Sequence, residues 1–211
     1  AAGNTMILKP SPHTPVICFK LADLFKQAGL PAGVLNVVPA DGELAGDVLT
    51  SDPRVKLVTF TGSTPVGRIL AQKASPYFKK ITLEMGGKNP LIVLADADLD
   101  YAVNTASFGV FIHQGQICMA GTRVIVEQPI YESFLKKLVA KVKTLKMGNP
   151  REHDTVIGPL IQARQCEIIA RQLADAKAKG ARVLIGGGHK GNFFEPTVLA
   201  DITKEMDCYD I

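Results

Sequence analysis

The sequence predicts an α/β protein made of parts of two doubly wound parallel-sheet domains. Three observations lead there. Short β-branched runs alternate with segments of helical spacing along the whole 211 residues. The runs are apolar, as strands covered on both faces of a parallel sheet are. The alternation halts at Gly86-Gly87 and then restarts, which places a boundary between a first domain, 1–86, and a second, 87–211.

The first domain opens on a short apolar run, Thr5 to Leu8, before Lys9-Pro10-Ser11-Pro12, which must turn. From Thr14 to Ala28 the spacing is helical, with Ile17, Leu21, Leu24, Phe25 and Ala28 on one face. Thr14-Pro15 is an N-cap followed by proline at the first helical position, and Gly29 is a stop. Val34 to Val38 reads as a buried strand, Gly42 to Leu49 as a helix and Val55 to Thr59 as a strand. The next helix is Pro65 to Ala74. In the second domain the expected order is strand Leu91 to Leu94, helix Leu99 to Phe111, strand Thr122 to Val126 and amphipathic helix Ile130 to Leu145. A helix from Ile161 to Lys179 stops at Gly180, strand Val183 to Ile185 runs into a turn at Gly186-Gly187-Gly188, and Phe193 to Leu199 closes as a strand.

Hydrophobic residues make up 46% and charged residues 21%, a globular composition rather than a disordered one. No apolar run reaches the ~20 residues of a membrane helix, so no membrane partner is expected. The net charge of +4 is dispersed. The lysines Lys136, Lys137, Lys141, Lys143 and Lys146 stand opposite a stripe of Phe134, Leu135, Leu138, Val139, Val142 and Leu145. That is the pattern of a solvated helix face, and no nucleic-acid partner is expected. The four cysteines form no CxxC pair and the four histidines do not cluster, so no metal site is expected. Spaced cysteines without a secretory signal fit a reducing, cytoplasmic setting. The chain opens on Ala-Ala-Gly-Asn-Thr and ends on Asp-Cys-Tyr-Asp-Ile, and both ends read as interior sequence.

Three constellations carry chemistry. In Phe111-Ile112-His113-Gln114-Gly115-Gln116-Ile117-Cys118-Met119-Ala120-Gly121, a cysteine follows a long helix and a glycine turn. A catalytic thiol needs such a tight turn, so that sulfur reaches substrate and nearby amides stabilise the thiolate or oxyanion. The alternative is a small buried hydrophobe, the commonest state of a free cysteine. In Leu83-Glu84-Met85-Gly86-Gly87-Lys88, a carboxylate at a strand end can serve as general base for water; the alternative is a surface glutamate before a turn. In Phe60-Thr61-Gly62-Ser63-Thr64-Pro65-Val66-Gly67-Arg68, strand, glycine and helix start form a phosphate cradle. Gly62 to Gly67 has P-loop spacing, but Arg68-Ile69 stand where that loop needs Lys and Ser/Thr, which excludes a nucleoside-triphosphatase reading.

Taken in order, Lys9-Pro10-Ser11, Phe60-Thr61-Gly62-Ser63-Thr64, Leu83-Glu84-Met85-Gly86-Gly87-Lys88 and Gly115-Gln116-Ile117-Cys118 resemble the landmarks of the aldehyde dehydrogenase superfamily, over essentially the whole chain. The resemblance implies that residues 1–86 are the C-terminal part of an NAD(P)-binding domain and 87–211 most of a catalytic domain. It implies that Cys118 attacks an aldehyde to give a thiohemiacetal, that hydride leaves for the nicotinamide of NAD or NADP, and that Glu84 activates the water that releases a carboxylic acid. Lys9 would meet the adenosine ribose hydroxyls, Ser11 belongs to the cofactor-binding set, Gly42 and Gly46 would lie beside the pyrophosphate, and Ser63 with its helix would bind that pyrophosphate. Phe60 and Val66 belong to the same cofactor set, Gly62 would permit close approach, and Met85 and Gly86 would lie by the nicotinamide. Glu84 argues against the acyl-CoA-forming branch.

Departures from the family pattern sharpen these expectations. Many NAD-preferring members carry a glutamate just after the Lys-Pro-Ser triplet; here Pro12 takes its place, which removes a repulsion of the 2′-phosphate and makes NADP acceptable. Ala40 stands where many members have glycine. The family's oxyanion asparagine and nicotinamide-ribose glutamate segments are expected just before and just after this chain, and its oligomerisation hairpin and terminal strand are also absent from it. A longer enzyme, a homodimer or homotetramer, is therefore implied. Ile117 and Met119 would form apolar walls beside the sulfur, and His113 to Met119 is similar to the aromatic-aldehyde branch (benzaldehyde, vanillin and salicylaldehyde dehydrogenases). His113 itself is expected to be a packing residue. Two competing readings remain at this point. One is a folded, non-catalytic fragment with at most nucleotide binding, since losing one oxyanion donor alone costs about 10²–10³ in rate. The other is a thiol hydrolase pairing Cys118 with a histidine, which would need no nicotinamide.

Overall fold

The computed structural model describes residues 2–210. The chain forms two compact units, Ala1–Met85 and Gly86–Ile211.

The first unit contains two strand-helix-strand repeats. Strand β1 (Met6–Leu8) pairs in parallel with β2 (Leu35–Val37), with Met6 opposite Leu35 and Leu8 opposite Val37, and helix α1 (Pro15–Gln27) connects them. Helix α2 (Gly42–Ser51) leads to strand β3 (Leu57–Gly62), which helix α3 (Thr64–Ala74) connects to the parallel strand β4 (Lys80–Met85). Helix α1 ends in a Schellman arrangement: Gly29 has φ +90°, its N–H donates to the Lys26 carbonyl, and the Leu30 N–H reaches back to Phe25 at 3.0 Å. Pro15 opens the helix as expected, but the Thr14 side chain makes no capping bond.

Coverage of both sheet faces is not observed here. The unit holds two separate two-stranded sheets, and α1 buries no residue: Ile17 is 65% exposed and Leu24 60%. Strand β4 explains part of the difference. Its sequence Lys-Ile-Thr-Leu-Glu-Met alternates, with Ile81, Leu83 and Met85 half-buried and Lys80, Thr82 and Glu84 exposed. Period-two alternation marks a strand covered on one face only. Helix α3 supplies that cover. Gly67 is buried, and a Cβ there would stand 2.7 Å from the Met85 sulfur, so a larger residue would have to push the Met85 side chain aside.

The second unit begins with strand β5 (Pro90–Val93), parallel to β6 (Arg123–Val126) in register Pro90 to Arg123. Helix α4 (Leu99–Phe111), capped by the Asp98 carboxylate, connects them through the segment that carries Cys118. Helix α5 (Tyr131–Val142) follows, then α6 (Ala163–Ala178). Strand β7 (Arg182–Ile185) precedes a hairpin of β8 (His189–Lys190) and β9 (Phe193–Phe194), and β10 (Val198–Ala200) returns antiparallel to β7. Here the expectation of parallel strands alone, and of one strand from Phe193 to Leu199, is corrected. Pro196 has no N–H to give a ladder and separates β9 from β10. The chain reverses between β8 and β9 at Gly191-Asn192, where Gly191 has φ +56°, so the returning strand pairs antiparallel, with Val198 opposite Ile185. A Cβ at Gly186 would lie 2.3 Å from the Pro196 carbonyl oxygen.

The core of this unit joins Val93, Val103, Ala106, Phe134, Leu138, Val142 and Val198. A second cluster gathers Leu160, Cys166, Leu173 and Phe194. The lysines of α5 lie outside it: Lys136 and Lys137 are exposed, Lys137 pairs with Asp100, and Lys146 beyond the helix holds Asp154 at 2.8 Å.

Candidate active site

In the first unit, a cavity of about 390 Å³ opens where β1 and β2 give way to the starts of α1 and α2. It is lined by Pro10, Ser11, Pro12, Pro15, Pro39, Ala40, Asp41 and Gly42. Two of the expected cofactor residues, Ser11 and Gly42, are thus brought together at the carboxyl ends of parallel strands, the usual place for a nucleotide in an open α/β sheet. Lys9 stands at the end of β1, half-buried, and its ammonium donates to the Pro10 carbonyl at 2.6 Å.

The two helix starts that follow β2 and β3 differ. At α2, Asp41 Oδ1 accepts the N–H groups of Glu43 at 2.9 Å and Leu44 at 3.1 Å. These two bonds, Leu44 first, hold the Asp41 carboxyl below the usual carboxylate range. At α3, Ser63 is the N-cap but makes no side-chain capping bond, so the first amides keep their capacity for an anion. The residues present therefore fit an adenine dinucleotide: a cavity lined by the Ser11 hydroxyl and the Asp41 carboxylate, and an uncapped helix start for phosphate.

Phe60, Gly62, Ser63, Val66, Glu84 and Met85 all belong to the β3–α3–β4 repeat. Glycine at position 62 has a reason within the chain itself: a Cβ would stand 2.4 Å from the Phe60 ring. Val66 is exposed on α3, while the Met85 side chain packs against Gly67. Glu84 is exposed on β4, opposite Thr61 of β3. Gly86 has open space where a side chain would be.

In the second unit, the chain leaves α4 through a short 3₁₀ segment, Ile112–Gly115, in which His113, Gln114 and Gly115 have φ of 49°, 57° and 70°. Left-handed backbone at a non-glycine residue costs about 1 kcal/mol or more. His113 is exposed there, with its carbonyl accepting the Gln116 N–H at 3.0 Å, so it is not the packing residue that the sequence led us to expect. The Ala120 N–H then donates to the Ile117 carbonyl at 3.1 Å, which makes Cys118 and Met119 the central residues of a tight turn. Cys118 is a free, exposed thiol and Met119 is 71% exposed, while Ile117 is half-buried. The buried-hydrophobe reading of Cys118 is thereby removed; among the four cysteines it is Cys166 that is buried.

Asn89, the residue before β5, holds this turn. Its Nδ2 donates to the carbonyls of Cys118 at 2.5 Å and Ala120 at 3.2 Å. From the far side, Gln116 Oε1 accepts the Ile161 N–H at 3.0 Å. Neither Asn89 nor Asp41 was singled out from sequence. Asp41 was findable as an Asp N-cap before Gly42-Glu43, whereas nothing local marks Asn89, whose partners lie some thirty residues away. No group of three metal-ligating side chains occurs among the described residues.

The model of the aldehyde dehydrogenase family matches residues 1–210. A benzaldehyde dehydrogenase of Bacillus subtilis is 46% identical over 206 residues, covering 97% of this chain and 42% of the relative. Among solved structures, an E. coli NADP-dependent enzyme is 42% identical with a TM-score of 0.95, covering 97% of this chain and 43% of its own. An NAD-dependent aldehyde dehydrogenase of Sinorhizobium meliloti is 38% identical with a TM-score of 0.93, covering 96% and 41%. The chain spans less than half the length of the relatives it matches. With its ordered motifs, its α/β fold and an exposed thiol at the centre of a clamped turn, this chain belongs to the aldehyde dehydrogenase family.

Proposed function

We propose that this chain carries the nucleophile, the base and much of the cofactor site of an enzyme that oxidises an aldehyde to a carboxylic acid with NAD or NADP. The observation that carries the reading is the exposed Cys118 thiol, presented at the centre of a turn whose carbonyls Asn89 holds. Family membership over residues 1–210 supports aldehyde oxidation as the reaction in which that thiol takes part.

The chemistry of each residue follows from its surroundings. The Cys118 thiolate adds to the aldehyde carbon, and the carbonyl oxygen takes the charge as a thiohemiacetal oxyanion. As that oxygen re-forms its double bond, the carbon loses a hydride and becomes a thioester on Cys118. A bound nicotinamide supplies the hydride acceptor. Glu84 takes a proton from water, the hydroxide adds to the thioester carbon, and the carboxylic acid leaves with the Cys118 thiolate restored. Lys9 and Ser11 would hold the adenosine half, and Gly42 with the uncapped start of α3 at Ser63 the pyrophosphate. Phe60, Gly62 and Val66 shape that helix start, and Met85 with Gly86 would border the nicotinamide.

The similarity to a benzaldehyde dehydrogenase, with the apolar Ile117 and Met119 flanking Cys118, supports an aromatic aldehyde as substrate. A homo-oligomeric enzyme in the cytoplasm completes the proposal. In the purified protein, Glu84→Gln should release one equivalent of reduced nicotinamide rapidly and then stall, because only deacylation needs the base. Steady turnover at the parental rate in Glu84→Gln would refute the assignment of the base. Equal efficiency on acetaldehyde and benzaldehyde would refute the aromatic preference.

A further inference from the structure

We infer that Asp41 is a specificity-determining residue: its carboxylate, in the cavity it shares with Ser11, Pro12 and Gly42, accepts a ribose 2′-hydroxyl and repels a 2′-phosphate, so that NAD is taken in preference to NADP. The inference rests on the reading that the first unit binds a nicotinamide dinucleotide.

The cavity lining is otherwise uncharged. Four prolines, Ser11, Ala40 and Gly42 surround it, and Asp41 is the one lining residue with an ionisable side chain. Asp41 follows β2, the second strand of a strand-helix-strand repeat, which is where an acidic side chain commonly receives the ribose hydroxyls of NAD. Its carboxylate is held in place and ionised, because Oδ1 accepts both the Glu43 and the Leu44 amides. That engagement leaves Oδ2 outside both bonds. Lys9 favours the charged form further, while its own ammonium is tied to the Pro10 carbonyl. Pro12 had implied an absence of negative charge around the 2′ position. Asp41 restores that charge to the same cavity from the end of the neighbouring strand.

Calorimetric titration of the protein with NAD⁺ and with NADP⁺ tests this, in the parent and in Asp41→Asn and Asp41→Ser. Both replacements can still cap α2, so the helix start is kept while the charge is lost. The parent should bind NAD⁺ more tightly, and both variants should shift the NADP⁺/NAD⁺ affinity ratio toward NADP⁺ by about tenfold. That is the size expected for one charge removed at ~6 Å from a doubly charged phosphate in water. An unchanged ratio in both variants, with NAD⁺ binding retained, would overturn the role of Asp41 and leave the dinucleotide reading standing. Failure of the parent to bind either dinucleotide would overturn that reading, and the inference with it.

Discussion

Helices α1 and α5 have closely similar patterns and opposite fates. Each carries apolar residues at helical spacing, Ile17, Leu21 and Leu24 in one and Phe134, Leu138 and Val142 in the other. In α5 the stripe is the centre of a core, with Phe134 1% exposed. In α1 it is open to solvent along its length. The same contrast separates the two units. Gly86–Ile211 closes three apolar clusters, whereas the apolar residues buried in Ala1–Met85 are few, chiefly Ala45 of α2 and Leu70 and Ala74 of α3. Periodicity identifies which face of a helix is apolar; it carries no information on what covers it.

The contrast orders the effects of substitutions. The largest belongs to Phe134→Ala, which removes a ring from the centre of the second unit and should destabilise that unit by about 3–5 kcal/mol. Hydrogen exchange read peptide by peptide would measure it, with the loss of protection confined to Gly86–Ile211. In the first unit, Leu70→Ala should cost about 2 kcal/mol, the low end for such a truncation, because its neighbours are already half-exposed. A cost equal to that of Phe134→Ala would break the comparison.

Acid should act next, through Asp41. Its carboxyl titrates below the ordinary range when folded, so its contribution to α2 is complete above the unfolded value and is lost as pH falls through the folded one. Amide protection in Gly42–Ser51 should therefore fall on acidification in the parent and lose that dependence in Asp41→Asn. The smallest effect is expected at Leu24→Ser, within about 0.5 kcal/mol, since the side chain is already in water. A large loss of stability there would mean that α1 is covered in solution.

Much of the scaffold was legible because local chemistry dictates it. Helix α4 runs over the residues its spacing predicts, Gly29 and Gly180 stop α1 and α6 with left-handed backbone, and the glycine turn before Cys118 delivers an exposed thiol. What escaped depends on distant partners. The antiparallel return of β10 brings Val198 opposite Ile185 across the β8–β9 hairpin, and the clamp on the Cys118 turn needs Asn89, some thirty residues earlier. His113 misled for a related reason: a histidine near apolar neighbours reads as packed, but left-handed backbone turns it outward. The roles of Cys118 and Glu84 were legible only through resemblance, since spacing alone left each an ordinary alternative.

Acylation of Cys118 tests the central claim most directly. The protein would be mixed with NAD⁺ and benzaldehyde, with Glu84→Gln used to slow release, then quenched in acid and its cysteine peptides weighed by mass spectrometry. The predicted result is a benzoyl group on Cys118, none on Cys18, Cys166 or Cys208, and no reduced nicotinamide from Cys118→Ala. A benzoyl group on another cysteine, no adduct at all, or undiminished reduction by Cys118→Ala would contradict it.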